Sequence, residues 1–167
     1  QRLLNHLHFL DENKVGNTPK DSLYYQLMLR KEAASVLTIE GLNDLAQRLA
    51  NEALELVEVG EFWGEGIIIY RMLQRMHAQE GNQRLVQETY EKQQEYNSKF
   101  LVQMRAENDF NELMTAKQKS NSAWQRSAKR ATAKANEWMD AGTKTNSRHL
   151  FVLGAQIKLM LFDEPEH

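Results

Sequence analysis

Apolar residues recur every three or four positions from Leu42 to Asn82. This period predicts amphipathic helices, because side chains three and four positions apart share one helix face. The pattern breaks at Val59-Gly60-Glu61 and stops at Gly81-Asn82, where glycine allows the positive φ that ends many helices. Two helices joined by a short turn are antiparallel neighbours. The predicted inner residues are Leu42, Leu45, Leu49, Ala53, Leu56 and Val57, followed by Phe62, Trp63, Ile67, Tyr70, Leu73 and Met76.

Further helices are predicted on both sides of this hairpin. Residues 1–10 have a helix-like apolar face, and Thr18-Pro19-Lys20-Asp21 is typical of a helix start. The helix that begins there is expected to end between Thr38 and Gly41. The stretch from Gln83 to about Lys119 is helical in pattern. A capping box at Asp109-Phe110-Asn111-Glu112 leaves open whether it forms one curved helix or two. Its predicted apolar seam is Leu85, Val86, Tyr90, Tyr96, Phe100, Leu101 and Met104.

Two more helices are predicted toward the end of the chain. Ser122-Ala123-Trp124-Gln125 resembles a capping box that opens a helix ending at Gly142. Its inner stripe alternates tryptophan with small residues, which suits close packing against a neighbouring helix or, alternatively, a shallow groove for a peptide. The stripe is Trp124, Ala128, Ala131, Ala135 and Trp138.

The last element, from Ser147 to Phe162, is apolar on nearly every face. Such a helix is normally buried on more than one side, so we expect a core helix. A docking helix for a following domain or a dimer partner is the second interpretation. An interfacial membrane helix is the third, and the lack of a cationic polar face argues against it.

The hairpin resembles a degenerate tetratricopeptide repeat. The resemblance lies in an Ala/Leu-rich helix, a Gly60-Glu61-Phe62 turn and a second helix with Gly66-Ile67 and Tyr70 on its inner face. The chain departs from the family pattern at Ala50, where a tryptophan is usual, and at Leu73, where a small residue is usual. No proline closes the pair. The resemblance covers about forty residues and implies a protein-interaction scaffold, while a helical bundle explains the same pattern.

Length and composition agree with one all-α domain. A chain of 167 residues is long enough to bury a core, and it has few prolines and glycines. A net charge of −2 argues against a generic nucleic-acid or membrane binder. The absence of cysteine excludes a disulfide framework, a thiolate metal site and a cysteine nucleophile. A cytoplasmic location is the default expectation, and we expect the chain to be a piece of a longer protein or a processed product.

The sequence contains no recognisable catalytic or cofactor motif. Gly60, Gly64 and Gly66 lack the lysine and the preceding strand of a phosphate-binding loop. His6 and His8 point to different sides of a helix, and the Glu-x-x-His motif at 164–167 has no second copy for a di-iron site. Five closely spaced glutamates are typical of a solvated helix face, namely Glu52, Glu55, Glu58, Glu61 and Glu65. We therefore expect no cofactor, no metal and no enzymatic activity.

The charges are unevenly distributed along the chain. Residues 117–134 carry six cations and no acid, whereas residues 40–65 are strongly acidic. Three interpretations remain open: attraction between these regions within or between molecules, docking of an acidic protein, and contact with nucleic-acid phosphates. The candidate partner-binding residues are Arg126, Lys129, Arg130 and Lys134.

These observations predict an all-α domain over residues 1–167, built of antiparallel helix pairs that form a tetratricopeptide-like repeat or a helical bundle. The predicted function is a non-enzymatic interaction scaffold or regulatory region that binds a peptide or a partner helix in a groove between helices. The alternative is a helical nucleic-acid-associated regulator that uses the basic 117–134 face. A homo-oligomer is possible in either case, and a membrane partner is not expected.

Overall fold

A computed structural model describes residues 18–162, except for the side chain of Asn121. This part of the chain is helical and contains no strand, so the prediction of an all-α fold with helices packed in adjacent pairs is confirmed. The predictions for residues 1–10 and for the tail after Phe162 lie outside the described residues. The helices are α1 (Pro19–Ile39), α2 (Asn43–Gly60), α3 (Trp63–Gln79), α4 (Gln83–Lys119), α5 (Asn121–Thr145) and α6 (Arg148–Phe162).

The chain divides into two compact units, one ending at Ser98 and the other beginning at Lys99. The first unit contains α1, α2, α3 and the first part of α4, and α2 packs against both α1 and α3. The second unit contains the rest of α4 together with α5 and α6, which pack along each other. The single domain predicted over residues 1–167 stays a prediction.

The helix ends in the first unit follow local sequence signals. Thr18 and Asp21 form the predicted capping box, in which each side chain accepts a hydrogen bond from the other residue's backbone. Glu40-Gly41 and Glu80-Gly81 end α1 and α3, and both glycines have φ above +70°. The same backbone hydrogen bonds close both turns. The same Glu-Gly turn therefore ends α1 and α3, forty residues apart.

The hairpin turn forms where it was predicted, but its geometry differs. Glu61, with a φ of 55°, is the left-handed residue, and Gly60 is the last residue of α2. We expected the positive φ at Gly60. Its lack of a side chain serves packing instead, because a Cβ there would collide with the ring of Phe62. Phe62 in turn packs edge to face against Tyr24 of α1, with ring centroids 5.2 Å apart.

The inner face of α2 is built from small residues, which corrects the prediction of a leucine stripe. Leu42 and Leu45 are exposed, while Ala53 and Val57 are buried as predicted. The fully buried residues include three alanines that let α1 and α3 approach the backbone of α2 closely. The buried residues of α2 are Ala46, Ala50, Ala53, Leu54, Val57 and Gly60.

Tyr96 of α4 is held in the core of the first unit. A Cβ on Gly66 would collide with its ring, so the missing side chain makes room for it. The ring also meets Trp63 and Tyr70 edge to face, at centroid distances of 5.3 and 4.9 Å. The hydroxyl donates a hydrogen bond to the Glu58 carboxylate. Burial, followed by this hydrogen bond, raises the pKa of Tyr96 far above its usual range, so the phenol stays protonated.

α4 is a single helix of 37 residues, which resolves the alternative left open above. Asp109 lies in its interior and does not restart a helix. Of the predicted seam, Tyr96 is buried, whereas Tyr90, Leu101 and Met104 are exposed. Polar Thr89 and Gln93 take buried positions in its first part, and Ala106, Asp109 and Leu113 take them in its second part.

In the second unit, α5 begins and ends at different residues from those predicted. Ser120, not Ser122, caps it by accepting a hydrogen bond from the Ala123 backbone N–H, and the helix continues past Gly142 to Thr145. Gly142 is needed for close packing, since a Cβ there would lie 2.5 Å from the backbone nitrogen of Phe151. The predicted stripe faces the core, with Trp124, Ala131, Ala135 and Trp138 buried, so its interpretation as close helix packing holds.

α6 is buried on one side only, which corrects the expectation of a helix covered on more than one side. Its inner residues join the core of the second unit, while Phe151, Val152, Leu159 and Phe162 are exposed. The inner residues are Leu150, Leu153, Gly154, Ile157 and Met160.

Candidate functional site

The four predicted partner-binding cations all lie on α5 but differ in their surroundings. Arg126 and Lys129 are exposed. Arg126 donates from Nε to the carbonyl oxygen of Ser122, 3.1 Å away. Arg130 and Lys134 are held by acids of the second unit. Only half of the predicted set therefore presents cations that no described carboxylate neutralises.

Arg130 and Lys134 meet at Asp109, a buried residue of α4. Lys134 Nζ lies 3.1 Å from Asp109 Oδ2, and Arg130 Nη2 lies 3.4 Å from Oδ1. The indole nitrogen of Trp138 donates to Oδ2 at 3.1 Å. Lys134 Nζ also lies 5.4 Å from the centroid of the Trp138 ring. This group, Asp109 with Arg130, Lys134 and Trp138, is called the Asp109 network below.

Two more acids surround the network and affect its protonation. Glu112 accepts a hydrogen bond from Arg130 at 2.7 Å, and Glu137 accepts one from Lys134 at 2.9 Å. The hydrogen bond from Asn108, followed by the one from Arg130, lowers the pKa of Glu112. The bond to Glu112 raises the pKa of Arg130, and the bond to Glu137 raises the pKa of Lys134. The charges of Arg130 and Lys134 thus stabilise packing of α5 against α4.

The acids of residues 40–65 have local partners of their own. Glu65 accepts a hydrogen bond from Lys31 at 2.7 Å and one from Tyr24, and Glu52 lies 3.4 Å from Arg30. These contacts tie α2 and α3 to α1. Electrostatic attraction within the molecule therefore operates inside each unit, and the acids that hold Arg130 and Lys134 come from α4 and α5.

A groove in the first unit combines α2, α3 and α4, and its volume is about 690 Å³. We call it the α2–α4 groove. Its floor contains Tyr70, Leu73 and His77 of α3, and Leu85 of α4 adds an apolar edge. Gln47 and Asn51 of α2 form one wall. Acidic residues of α4 form the other wall, together with Thr89 and Lys92; these are Glu88, Glu91 and Glu95.

The walls of the α2–α4 groove carry different polar chemistry. An amide side chain both donates and accepts hydrogen bonds, which matches the peptide backbone, and Asn51 makes no hydrogen bond to a described residue. The α4 wall holds three carboxylates against one cation. Lys92 is paired with Glu95 at 3.0 Å, and Arg84 lies 3.5 Å from Glu88, so Glu91 is the carboxylate of this wall that no described cation neutralises. A ligand with a free backbone edge and positive side chains complements both walls.

His77 is the most unusual residue of this groove. It is nine-tenths buried, and its Nδ1 is buried without a hydrogen-bond partner among the described residues. The nearest acid, Glu80, lies 3.5 Å from Nδ1, too far for a good hydrogen bond, and it already accepts from Gln47. A buried ring nitrogen without a partner costs free energy unless a ligand satisfies it. No sequence pattern indicates this role, since His77 is an isolated histidine.

A second groove lies between α1 and α3, with a volume of about 510 Å³. It exposes Ile39 and Ile68 beside the cations Arg71 and Arg75. No buried polar atom without a partner lines it among the described residues. The α2–α4 groove therefore offers more features that a ligand would satisfy.

Metal and membrane chemistry receive no support from the described residues. No three or more of their His, Cys, Asp and Glu side chains come together as a metal site would require. No helix within residues 18–162 combines the length and the apolar character needed to cross a bilayer. The acidic cluster of Glu52, Glu58 and Glu65 is dispersed among contacts to Arg30, Tyr96 and Lys31.

Sequence reasoning predicted the two-helix architecture beneath the α2–α4 groove but not its lining. The acidic wall had a visible signal, since Glu88, Glu91 and Glu95 recur every three or four residues along one helix face. The apolar floor had no such signal in the sequence, because its composition depends on how α3 packs between α2 and α4. In comparisons with known proteins, no family model matches the chain, and neither a curated protein nor a solved structure matches it.

Proposed function

We propose that this chain is a non-enzymatic, tetratricopeptide-like interaction module that binds a basic peptide segment of a partner protein in the α2–α4 groove. The observation that supports it best is the arrangement of the groove, with an apolar floor between an amide wall and an acidic wall. Buried apolar anchors would provide affinity, and the charged rim would provide selectivity.

The acidic wall of the groove is expected to favour cationic peptides over acidic ones, and this preference depends on ionic strength. Carboxylates at a solvent-exposed rim mainly attract cationic ligands during encounter and reject acidic ones. Their effect is screened over about 8 Å at physiological salt. The amide wall and the apolar floor are independent of salt. We therefore expect a basic peptide to bind with a moderate salt dependence, far below that of a nucleic-acid ligand.

The test is selection from a random peptide library displayed on phage, with the whole chain as bait. We expect enriched peptides to carry lysine or arginine beside an apolar anchor. Their affinities would be measured by fluorescence anisotropy with synthetic, labelled peptides. Asn51→Ala is expected to weaken binding about five- to tenfold, the value of one hydrogen bond. Glu91→Lys is expected to weaken it about tenfold or more at low salt.

Matched controls separate the groove from general effects of substitution. Asn111→Ala and Asp140→Lys change exposed residues of the second unit with the same chemistry, and we expect both to bind like the unmodified chain. Enrichment of no peptide, or equal weakening by the control substitutions, would contradict the proposal. Enrichment of acidic peptides would also contradict it.

The nucleic-acid alternative depends on the cations of α5 that no described carboxylate neutralises. Arg126 and Lys129 are exposed, whereas Arg130 and Lys134 belong to the Asp109 network. The sharpest test is the double substitution Arg126→Glu and Lys129→Glu, since reversing Arg130 would also disrupt packing. We expect no RNA or DNA binding above background in filter binding at 150 mM salt, for either protein. Binding that the double substitution abolishes, with a steep salt dependence, would support the alternative.

A further inference from the structure

The outer face of α6 presents large apolar side chains to solvent. Leu159 is 63% exposed and Phe162 is 74% exposed, while Val152 and Phe151 are each about two-fifths exposed. Scattered exposed apolar residues are common on protein surfaces, but a contiguous patch usually marks an interaction site. These residues lie within twelve positions on one helix, and the partly exposed Ala155 lies between them.

The spacing on α6 shows that the patch is a second packing stripe. Leu150, Leu153, Ile157 and Met160 are buried inside the second unit and follow steps of three, four and three. Val152, Ala155, Leu159 and Phe162 follow the same steps on the opposite face. Steps of three and four are the spacing by which one helix packs along another. α6 therefore has the pattern of a helix with two neighbours, and its outer stripe has none among the described residues.

We propose that the outer stripe of α6 binds the same stripe of a second copy of this chain, with the two helices antiparallel. An antiparallel pair centred beside residue 157 sets Phe162 opposite Val152 of the second copy, and Leu159 opposite Ala155. Each large side chain then faces a smaller one, so successive layers fill similar volumes. The stripe is thus complementary to itself, as the interface of a two-fold symmetric dimer requires.

The charge at the start of α6 favours this orientation over a parallel one. α6 begins with Arg148. Antiparallel pairing sets the Arg148 residues of the two copies at opposite ends of the pair, whereas parallel pairing would bring these like charges together.

The size of the stripe sets the strength of the dimer. Its side chains expose roughly 400 Å² of apolar surface in each copy, within the range of functional surface patches. With the flanking polar residues, a pair would bury roughly 1,000 Å² in total, at the lower end for a specific interface. We therefore expect a reversible dimer with a Kd of about 1–100 μM rather than an obligate one. The inference is independent of the function proposed for the α2–α4 groove.

Sedimentation velocity of the whole chain across about 1–300 μM tests the proposal. We expect a shift from monomer to dimer over this range. Leu159→Glu places a charge in the centre of the stripe, and we expect it to raise the Kd at least tenfold. Leu101→Glu is the matched control, since Leu101 is 56% exposed on α4 of the same unit. It should leave the Kd unchanged, and circular dichroism would verify that both variants are folded.

Two results would overturn the proposal. One is a monomer over the whole concentration range, which would leave the stripe to a different occupant. The other is a dimer that Leu159→Glu leaves unchanged or that Leu101→Glu weakens equally.

Cysteine cross-linking tests the orientation of the helices directly. The chain has no cysteine of its own, so introduced thiols have no native competitor. In the antiparallel register, Ala155→Cys of one copy faces Leu159→Cys of the other. Mixing the two single variants under oxidation should therefore give mainly the mixed disulfide dimer, since a disulfide needs Cα atoms within about 7 Å. Faster cross-linking of either variant with itself would overturn the antiparallel register.

Discussion

Replacing Gly154 with alanine is expected to destabilise the second unit by about 2 kcal/mol. A Cβ at this position of α6 would lie 2.7 Å from the backbone nitrogen of Met139 and 2.8 Å from the carbonyl oxygen of Ala135. These are backbone atoms of α5 and cannot rotate away, so the two helices must separate along their shared core. Overpacking of this kind lowers the free energy of unfolding by about 3 kcal/mol, and the better helix propensity of alanine offsets about 1 kcal/mol of this loss.

Urea unfolding followed by tryptophan fluorescence measures this effect. Trp124 and Trp138 are buried in the second unit and report on it, whereas Trp63 reports on the first. Gln156→Ala is the control, because Gln156 is exposed on the same helix and its substitution should change the free energy of unfolding by less than about 0.5 kcal/mol. Equal midpoints for Gly154→Ala and Gln156→Ala would show that α5 and α6 do not depend on this close approach.

Helix positions could be predicted from sequence wherever the signal is local. Thr18 and Asp21 set the start of α1, and Gly41 and Gly81 supply the positive φ that follows α1 and α3. These signals involve residues within one turn of each other, so no knowledge of packing is required. The hairpin turn was located for the same reason, although the left-handed residue is Glu61.

Which face of a helix is buried was harder to predict from the sequence, because it depends on the neighbouring helices. α2 carries both a leucine series and an alanine series, and periodicity alone favours the more apolar leucines. The structure buries Ala46 and Ala50 and exposes Leu42 and Leu45, since close approach of α1 requires small side chains. α6 has two equivalent apolar stripes, and its sequence does not say that only one of them is covered within the second unit.

Tertiary contacts also decided the positions of charged residues. Asp109 resembles a helix cap in the sequence, yet it lies inside α4 and binds residues of α5 that are 21 to 29 positions away. The four predicted cations of α5 look equivalent on a helical projection. Arg130 and Lys134 differ from the other two because Asp109 and Glu112 of α4 lie opposite them and form ion pairs.

Replacing Asp109 with alanine is expected to lower the free energy of unfolding of the second unit by about 2–3 kcal/mol. Removing one member of a buried charged group costs about 3–5 kcal/mol, because its partners are left without compensation. We place the expected value at the lower end, since Arg130 is half exposed and water can solvate it. The indole N–H of Trp138 is buried and loses its acceptor outright.

Comparison with Asp109→Asn separates the charge from the hydrogen bond. Asparagine keeps an oxygen that can accept from Trp138, so we expect a loss of about 1–2 kcal/mol. Asp140→Ala, an exposed acid on α5, is the control and should change stability by less than about 0.5 kcal/mol. Adding Lys134→Met to Asp109→Ala removes the cation left without its buried partner, so the two effects should be less than additive by about 1 kcal/mol. Full additivity would mean that Lys134 and Asp109 contribute separately, and that the network does not hold α5 against α4 as a unit.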